Sequence, residues 1–229
     1  MPRIRRTLAT GLLAAALISG IGIGFASDAE AALILITPTD DDRGIDSFLD
    51  GNFMCCQLDD GLATVTRNAF FEERVGLEFA LAALPHDATI LSVTLALHLP
   101  TGVTRPNAAD VHGYAGDGTI ADDDLTVSNL LTSFAVTGAG SVDIPIAPVF
   151  IQTLLAADAD FAGFMLRNVT DPNGVFTIWT VDSGFEDLNP TLAVDYELVP
   201  EPGSLLLVGT ALILGTRRAR RLRRSLEVP

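Results

Sequence analysis

The chain has 229 residues, 48% of them hydrophobic, which is enough for one ordinary domain with a sizeable core and for processing segments at its ends. All 14 basic residues are arginines, and nine lie near the termini. Residues 33–199 therefore carry five arginines against 25 acidic residues, a net charge of −20. A span this acidic repels phosphate backbones, which argues against nucleic acid as a partner. Its acidity fits either divalent-cation binding or a strongly hydrated surface.

The N-terminal segment has the pattern of a secretory signal. Arg3, Arg5 and Arg6 form a positive region, and residues 7–27 that follow are uncharged. Small residues at Ala29 and Ala31 then form an A-x-A site of the kind that signal peptidase reads. We predict a signal peptide over residues 1–31, cleaved after Ala31. The alternative is a retained membrane anchor.

Between residues 33 and 198, short apolar or alternating runs are separated by Asp, Gly, Asn and Pro. This pattern predicts nine β-strands, over residues 33–37, 62–66, 74–80, 89–99, 109–114, 141–144, 163–168, 175–181 and 191–197. Apolar residues that alternate with smaller or polar ones, as from Val93 to Leu99, are typical of a half-buried strand. We therefore predict an all-β domain over residues 32–198, a jelly-roll β-sandwich with one short helix.

The one helix is expected at Pro148, because proline suits the first helical turn. It is predicted to end near Asp158. Its apolar face would consist of Val149, Ile151, Leu154 and Leu155. We expect this helix to cover one open end of the sandwich.

The run from Arg74 to Leu99 resembles a pattern found in secreted jelly-roll modules of the DNRLRE and disaggregatase-related type. The matching positions are Leu77, Phe79, Leu81, Leu84, Pro85, Ala88, Ile90, Leu95 and Leu97. Further matches follow at residues 142–144, 163–166 and 190–196. The chain departs from the pattern at residues 119–134, which contain no tryptophan where those modules have a Trp-rich segment. The resemblance implies a carbohydrate-associated or adhesive surface module, commonly without catalytic activity.

Motifs for catalysis are sparse. The chain has no G-x-S-x-G elbow, and the glycine-containing stretch at residues 113–118 lacks the lysine of a phosphate-binding loop. Of the three histidines, His86, His98 and His112, His98 lies on a predicted strand and is interpreted as a structural or surface residue, and His86 lies in a predicted loop after Pro85. Paired carboxylates for glycoside hydrolysis cannot be singled out among so many acids. We predict that the protein is not an enzyme.

Two acidic runs are candidate calcium sites, because Ca²⁺ prefers six to eight oxygen ligands. Both runs are predicted to be loops, and their candidate ligands are Asp40, Asp41, Asp42, Asp46, Asp122 and Asp124. Solvated turns are the alternative interpretation of both runs. The adjacent cysteines Cys55 and Cys56 are either small loop residues or an intermolecular bridge, and no zinc motif is present.

Three aromatic residues are candidate sugar contacts, since an exposed ring offers a flat apolar surface to a pyranose. They are Tyr114, Phe185 and Trp179. Tyr114 and Phe185 lie near predicted loops. Trp179 lies within a predicted strand, where packing in the core is the alternative role.

The C-terminal segment combines three features. Pro200, Glu201 and Pro202 precede an uncharged run at residues 204–216, and six arginines follow: Arg217, Arg218, Arg220, Arg221, Arg223 and Arg224. Residues 199–224 resemble a PEP-CTERM sorting signal, which implies processing by an exosortase. The run is short for a membrane span, at about 20 Å of helix. The arginines favour a cytoplasmic chain end, with transient anchoring in the inner membrane. An ordinary tail anchor is the alternative.

Together these features predict an exported, exosortase-sorted protein of the cell surface or extracellular matrix. It would be non-catalytic and would associate with exopolysaccharide. Two other functions stay open: a structural surface protein without a specific ligand, and a hydrolase acting on matrix polysaccharide.

Overall fold

Twelve β-strands and one α-helix form the described part of the chain. The computed structural model describes residues 31–46, 49–55, 61–100, 107–169 and 173–198, which belong to one compact unit, Ala31–Leu198. The strands are β1 (Ala31–Ile36), β2 (Asp40–Asp46), β3 (Met54–Cys55), β4 (Leu62–Asn68), β5 (Glu72–Ala80), β6 (Ala88–Leu99), β7 (Asn107–Gly116), β8 (Leu130–Val136), β9 (Gly140–Ile146), β10 (Phe161–Asn168), β11 (Asn173–Trp179) and β12 (Thr191–Leu198). The helix, α1, spans Pro148–Ala156.

The strands form two antiparallel sheets. The smaller sheet has the order β1-β12-β6-β9. In its β1–β12 pair, Ala31 lies opposite Glu197 and Ile36 opposite Leu192. The larger sheet has the order β11-β4-β5-β10-β7-β8, and β2 adds to it by pairing with β5, while β3 pairs with β2. The described residues are therefore an all-β sandwich with one short helix, as the sequence predicts.

The main core lies between the two sheets. On β6, Val93, Leu95, Leu97 and Leu99 are all buried, which confirms the alternation in the sequence. The larger sheet supplies apolar side chains from β5 and β10, such as Leu77, Phe79 and Phe164. The rings of Phe79 and Phe164 meet edge to face, with centroids 5.6 Å apart. Each large apolar side chain buried here contributes about 1.5–3 kcal/mol.

Helix α1 packs against β6 through Ile151, Leu154 and Leu155, and Pro148 lies in its first turn as predicted. Gln152 ties it to the strand, because its side chain accepts from the Ile90 N–H (2.9 Å) and donates to the Ala88 carbonyl oxygen (3.1 Å). The prediction was wrong for Val149, whose side chain is 67% exposed.

The nine predicted strands all exist, with ends within two residues of those expected. Three strands were missed: β2, β3 and β8. The interpretation of residues 40–46 as a loop was wrong, since they pair with β5 from Asp40–Glu78 to Asp46–Glu72. Aspartates are uncommon in strands, but β2 is stabilised by backbone pairing along its whole length.

The terminal predictions lie almost wholly outside the described residues. Of the signal-peptide residues, only Ala31 is described, as the first residue of β1. The sorting tail and Cys56 are outside, and Cys55 ends β3. Within the described ranges, the structure contains no helix with the length and hydropathy needed to cross a membrane.

The outer face of the larger sheet bears a second, smaller core, made by Phe53, Ile120, Leu125 and Met165. Three glycines leave room for it. A methyl group on Gly44 would collide with Leu125, one on Gly76 would press on Ile120, and one on Gly163 would collide with the ring of Tyr114. Loops that cross this face therefore rest directly on the strand backbones.

Replacing Gly163 with alanine is expected to lower the free energy of unfolding by about 1–3 kcal/mol, because the added methyl group overpacks a buried contact. Gly138→Ala is the matched control, since a methyl group there meets nothing within 4 Å. Urea titration of both variants measures the difference. Equal unfolding midpoints for the two variants would contradict the close packing of Tyr114 on this strand.

Candidate functional site

A loop at residues 117–124, here called the acidic loop, collects carboxylates from three parts of the chain. Four consecutive backbone N–H groups of this loop each donate to a carboxylate oxygen. The pairs are Gly118 with Glu78 (2.6 Å), Thr119 with Asp117 (3.1 Å), Ile120 with Asp40 (2.9 Å) and Ala121 with Asp124 (2.8 Å). The structure therefore brings together Asp40 and Asp124, which the sequence placed in separate candidate sites.

The other candidate calcium ligands lie elsewhere. Successive side chains of a strand point to opposite faces, so Asp41 points away from the acidic loop and accepts from the Val181 N–H (2.7 Å). Asp46 accepts from the N–H groups of Asp50 and Gly51, and Asp122 is exposed on the surface. The side chain of Asp42 lies outside the described residues.

These positions divide the predicted calcium ligands among separate places. Across the ranges that the structure describes, no three carboxylate, imidazole or thiol groups are arranged so that they could hold one metal ion. Calcium binding stays a prediction.

Glu78 is the most buried carboxylate at the acidic loop, with no exposed surface. Its pKa is raised by burial, and the nearby charges of Asp124 and Asp117 raise it further, against the hydrogen bond from Gly118. The pKa of Asp124 is also raised, mainly by burial. Among the described residues, Oε1 of Glu78 has no hydrogen bond of normal geometry. Glu78 therefore favours its protonated form more than an ordinary glutamate does.

Tyr114 was a candidate sugar contact, and the structure places it beside Glu78. Its ring lies over Gly163, and its hydroxyl group is buried. The pKa of this hydroxyl is strongly raised by burial and by the adjacent Glu78 carboxylate. Tyr114 therefore packs on the outer face of the larger sheet, away from the exposed position that a sugar contact requires.

A network around Glu72 was not predicted from the sequence. Oε1 of Glu72 accepts from the Nε atoms of Arg74 (3.0 Å) and Arg167 (2.8 Å), and Oε2 lies 3.9 Å from Nε of Arg67. Arg74 also donates to the Leu125 carbonyl oxygen (2.6 Å) and lies 4.3 Å from the ring centre of Phe53. The pKa of Arg74 is lowered by burial, although Glu72 opposes this shift. Through the carbonyl oxygen of Leu125, the network fastens the segment that follows the acidic loop to the sheet.

The three histidines lie on separate elements. His86 is exposed in a loop, 3.7 Å from Asp158, and His98 lies on β6. His112, on β7, is buried, and burial lowers its pKa although Asp110 opposes this shift. Neutral imidazole is thus the favoured form of His112. The absence of catalysis stays a prediction.

Trp179 and Phe185 form an aromatic pair on the surface. Trp179 is the last residue of β11 and is half-buried, whereas Phe185 lies in the following turn and is 58% exposed. The ring centroids are 5.5 Å apart and the ring planes meet at 70°, the edge-to-face geometry that aromatic side chains prefer. Two of the three predicted sugar contacts thus lie side by side, and part of their ring surface is accessible.

The turn that carries Phe185 is held in place from several sides. Asp41 accepts from Val181, and the Thr180 N–H donates to the Gly61 carbonyl oxygen (3.2 Å). Gly61 has a φ of +86°, and a methyl group there would collide with the backbone of Ser183. Only glycine accommodates both the positive φ and the close contact with Ser183. Residue 61 therefore determines how closely the turn approaches β4.

Within the turn, the Phe185 N–H donates to the Ser183 hydroxyl (3.1 Å), and the Leu188 N–H donates to the Phe185 carbonyl oxygen (2.9 Å). With its amide nitrogen facing the backbone, Asn189 donates to the carbonyl oxygens of Thr180 (3.1 Å) and Phe185 (3.3 Å). These bonds fix the backbone on both sides of Phe185. The aromatic pair is therefore presented by an ordered turn.

No protein-family model matches the chain, and no curated protein matches it. The structure defines the fold class, which is an all-β sandwich with curled sheets and one short helix. The resemblances noted in the sequence stay predictions.

Proposed function

We propose that this is an exported jelly-roll module, sorted by an exosortase to the cell surface or matrix, that binds polysaccharide without catalysis. The observation that carries this proposal is the aromatic pair of Trp179 and Phe185, which leaves ring surface exposed. Its position is fixed by Asp41, Gly61 and Asn189. A surface fixed before binding loses little conformational entropy when a ligand docks.

The chemistry of the pair suits a sugar ring. A pyranose has an apolar face of C–H groups that can lie on an aromatic ring, and Phe185 offers such a ring to solvent. Exposed polar groups in the same turn, at Asp182 and Glu186, can accept hydrogen bonds from sugar hydroxyls. The two kinds of contact together are typical of carbohydrate recognition.

The export and sorting parts of the proposal rest on the terminal motifs. The positive N-terminal region with its A-x-A site supports secretion, and the Pro200–Pro202 motif with its arginine cluster supports exosortase processing. The jelly-roll assignment rests on the sequence resemblance and is compatible with two antiparallel sheets around one core. The high acidity of residues 33–199 agrees with a hydrated extracellular surface.

Truncating either ring is expected to weaken binding of the full chain to its exopolysaccharide by about tenfold or more, as for an aromatic hot-spot residue. The variants are Trp179→Ala and Phe185→Ala, tested by co-sedimentation with polysaccharide from the producing cells. Phe70→Ala is the matched control, because Phe70 is 79% exposed on another hairpin.

Three outcomes would contradict the proposal. Equal binding by the parent and both ring variants would show that the aromatic pair does not contribute to polysaccharide binding. Absence of binding by the parent would favour a structural surface protein without a ligand. Release of new reducing ends from the polymer would favour a hydrolase.

A further inference from the structure

The aromatic pair lies among acidic side chains. The turn between β11 and β12 contains Asp182, Glu186 and Asp187, and all three are exposed. Residues 175–198 contain no arginine, lysine or histidine. A ligand that stacks on Phe185 therefore meets three carboxylates within four residues along the chain, without a basic side chain from the same segment.

The arginines of the domain do not neutralise these acidic side chains. Three of the five arginines between residues 33 and 199 are Arg67, Arg74 and Arg167, and their Nε atoms converge on Glu72. They are thus committed to one buried carboxylate in the described structure. The whole span keeps a net charge of −20, so its five arginines are too few to neutralise its 25 acidic residues.

From this charge distribution we infer that the ligand is a polysaccharide with free amino groups, such as a hexosamine polymer that is not fully acetylated. This inference rests on the proposed function and narrows it. One sugar ring stacks on Phe185, and protonated amino groups lie near Asp182, Glu186 and Asp187. A uronate or sulfated polymer would be repelled by the same carboxylates, so charge selects among polymers that stack equally well.

The test compares three oligosaccharides of equal length on the full chain: glucosamine oligomers, N-acetylglucosamine oligomers and galacturonate oligomers. We expect the glucosamine oligomer to bind about tenfold more tightly than the N-acetylated one, with no binding of the galacturonate oligomer. The preference should disappear near 1 M salt, where charges are screened over about 3 Å.

Two triple variants separate a local effect of charge from a global one. Asp182→Asn, Glu186→Gln and Asp187→Asn together should abolish the preference for free amines and leave binding of the N-acetylated oligomer unchanged. The control variant removes the same charge elsewhere, at the exposed residues Asp87, Asp158 and Asp160. It should keep the preference.

The outcomes distinguish this inference from the proposed function. If the glucosamine and N-acetylglucosamine oligomers bind equally and Trp179→Ala weakens both, the proposed function stands and the inference fails. Tighter binding of the galacturonate oligomer overturns the inference as well. If both triple variants lose the preference equally, charge acts at long range and the aromatic pair is not the place of selection.

Discussion

Replacing Glu72 with glutamine is expected to lower the free energy of unfolding by about 3–5 kcal/mol, the typical effect of removing one member of a buried ion pair. The reason is that Arg74 would keep its charge without a compensating carboxylate. The side chain of Glu72 is only 4% exposed and that of Arg74 11%, so water cannot replace the lost partner. Urea or thermal unfolding of the parent and the variant measures this loss.

Arg67→Gln is the matched control for this prediction. Its Nε atom lies 3.9 Å from the same carboxylate, but the side chain is 42% exposed. Its removal should therefore cost less than about 1 kcal/mol. The double variant Glu72→Met with Arg74→Met should recover part of the loss, because no uncompensated charge is then left at this pair. Equal effects of Glu72→Gln and Arg67→Gln would show that the network does not stabilise the fold as described.

The second large effect concerns pH. Lowering the pH from neutral toward 4.5, the ordinary pKa of a glutamate side chain, is expected to increase the contribution of Glu78 to stability. Because its pKa is raised in the folded state, the folded chain takes up this proton at a higher pH than the unfolded chain does. Stability from this group is fully present below the unfolded pKa and is lost as the pH rises through the folded pKa. Asp124 shifts in the same direction.

Glu78→Gln isolates this contribution from the many other acids. The variant should be more stable than the parent at neutral pH, and the difference should shrink as the pH falls. Its amide oxygen can still accept from Gly118, so the hydrogen bond to the acidic loop is kept. Asp87→Asn, at an exposed position, serves as the charge control. A parent–variant difference that stays constant over the whole pH range would contradict a raised pKa at Glu78.

Strand periodicity made most of the sandwich predictable. The alternation from Val93 to Leu99 marks β6 because one face of the strand is buried in the core. Strand β2 could not be found in this way, since its partners are distant in the chain. Asp40 bonds to a residue 80 positions away and Asp41 to one 140 positions away. Residues that appear suited only to a solvated loop are stabilised there by tertiary contacts.

The candidate site was only partly predictable, because it too depends on tertiary contacts. Phe185 and Trp179 were each singled out as aromatic residues, but their pairing depends on a turn that contains Gly184 in a left-handed conformation. The network at Glu72 joins side chains from β4, β5 and β10. Nothing in local sequence pattern shows that arginines so far apart along the chain share one carboxylate.

The pairing of β1 with β12 fixes where the turn that bears Phe185 lies relative to the two ends of the described chain. The described chain enters at Ala31 and leaves at Leu198 on adjacent strands, at one corner of the smaller sheet. The turn that bears Phe185 leads into Thr191, at the other end of β12, about 23 Å away for an eight-residue strand. The turn that bears Phe185 therefore lies at the opposite end of β12 from the first and last described residues of the domain.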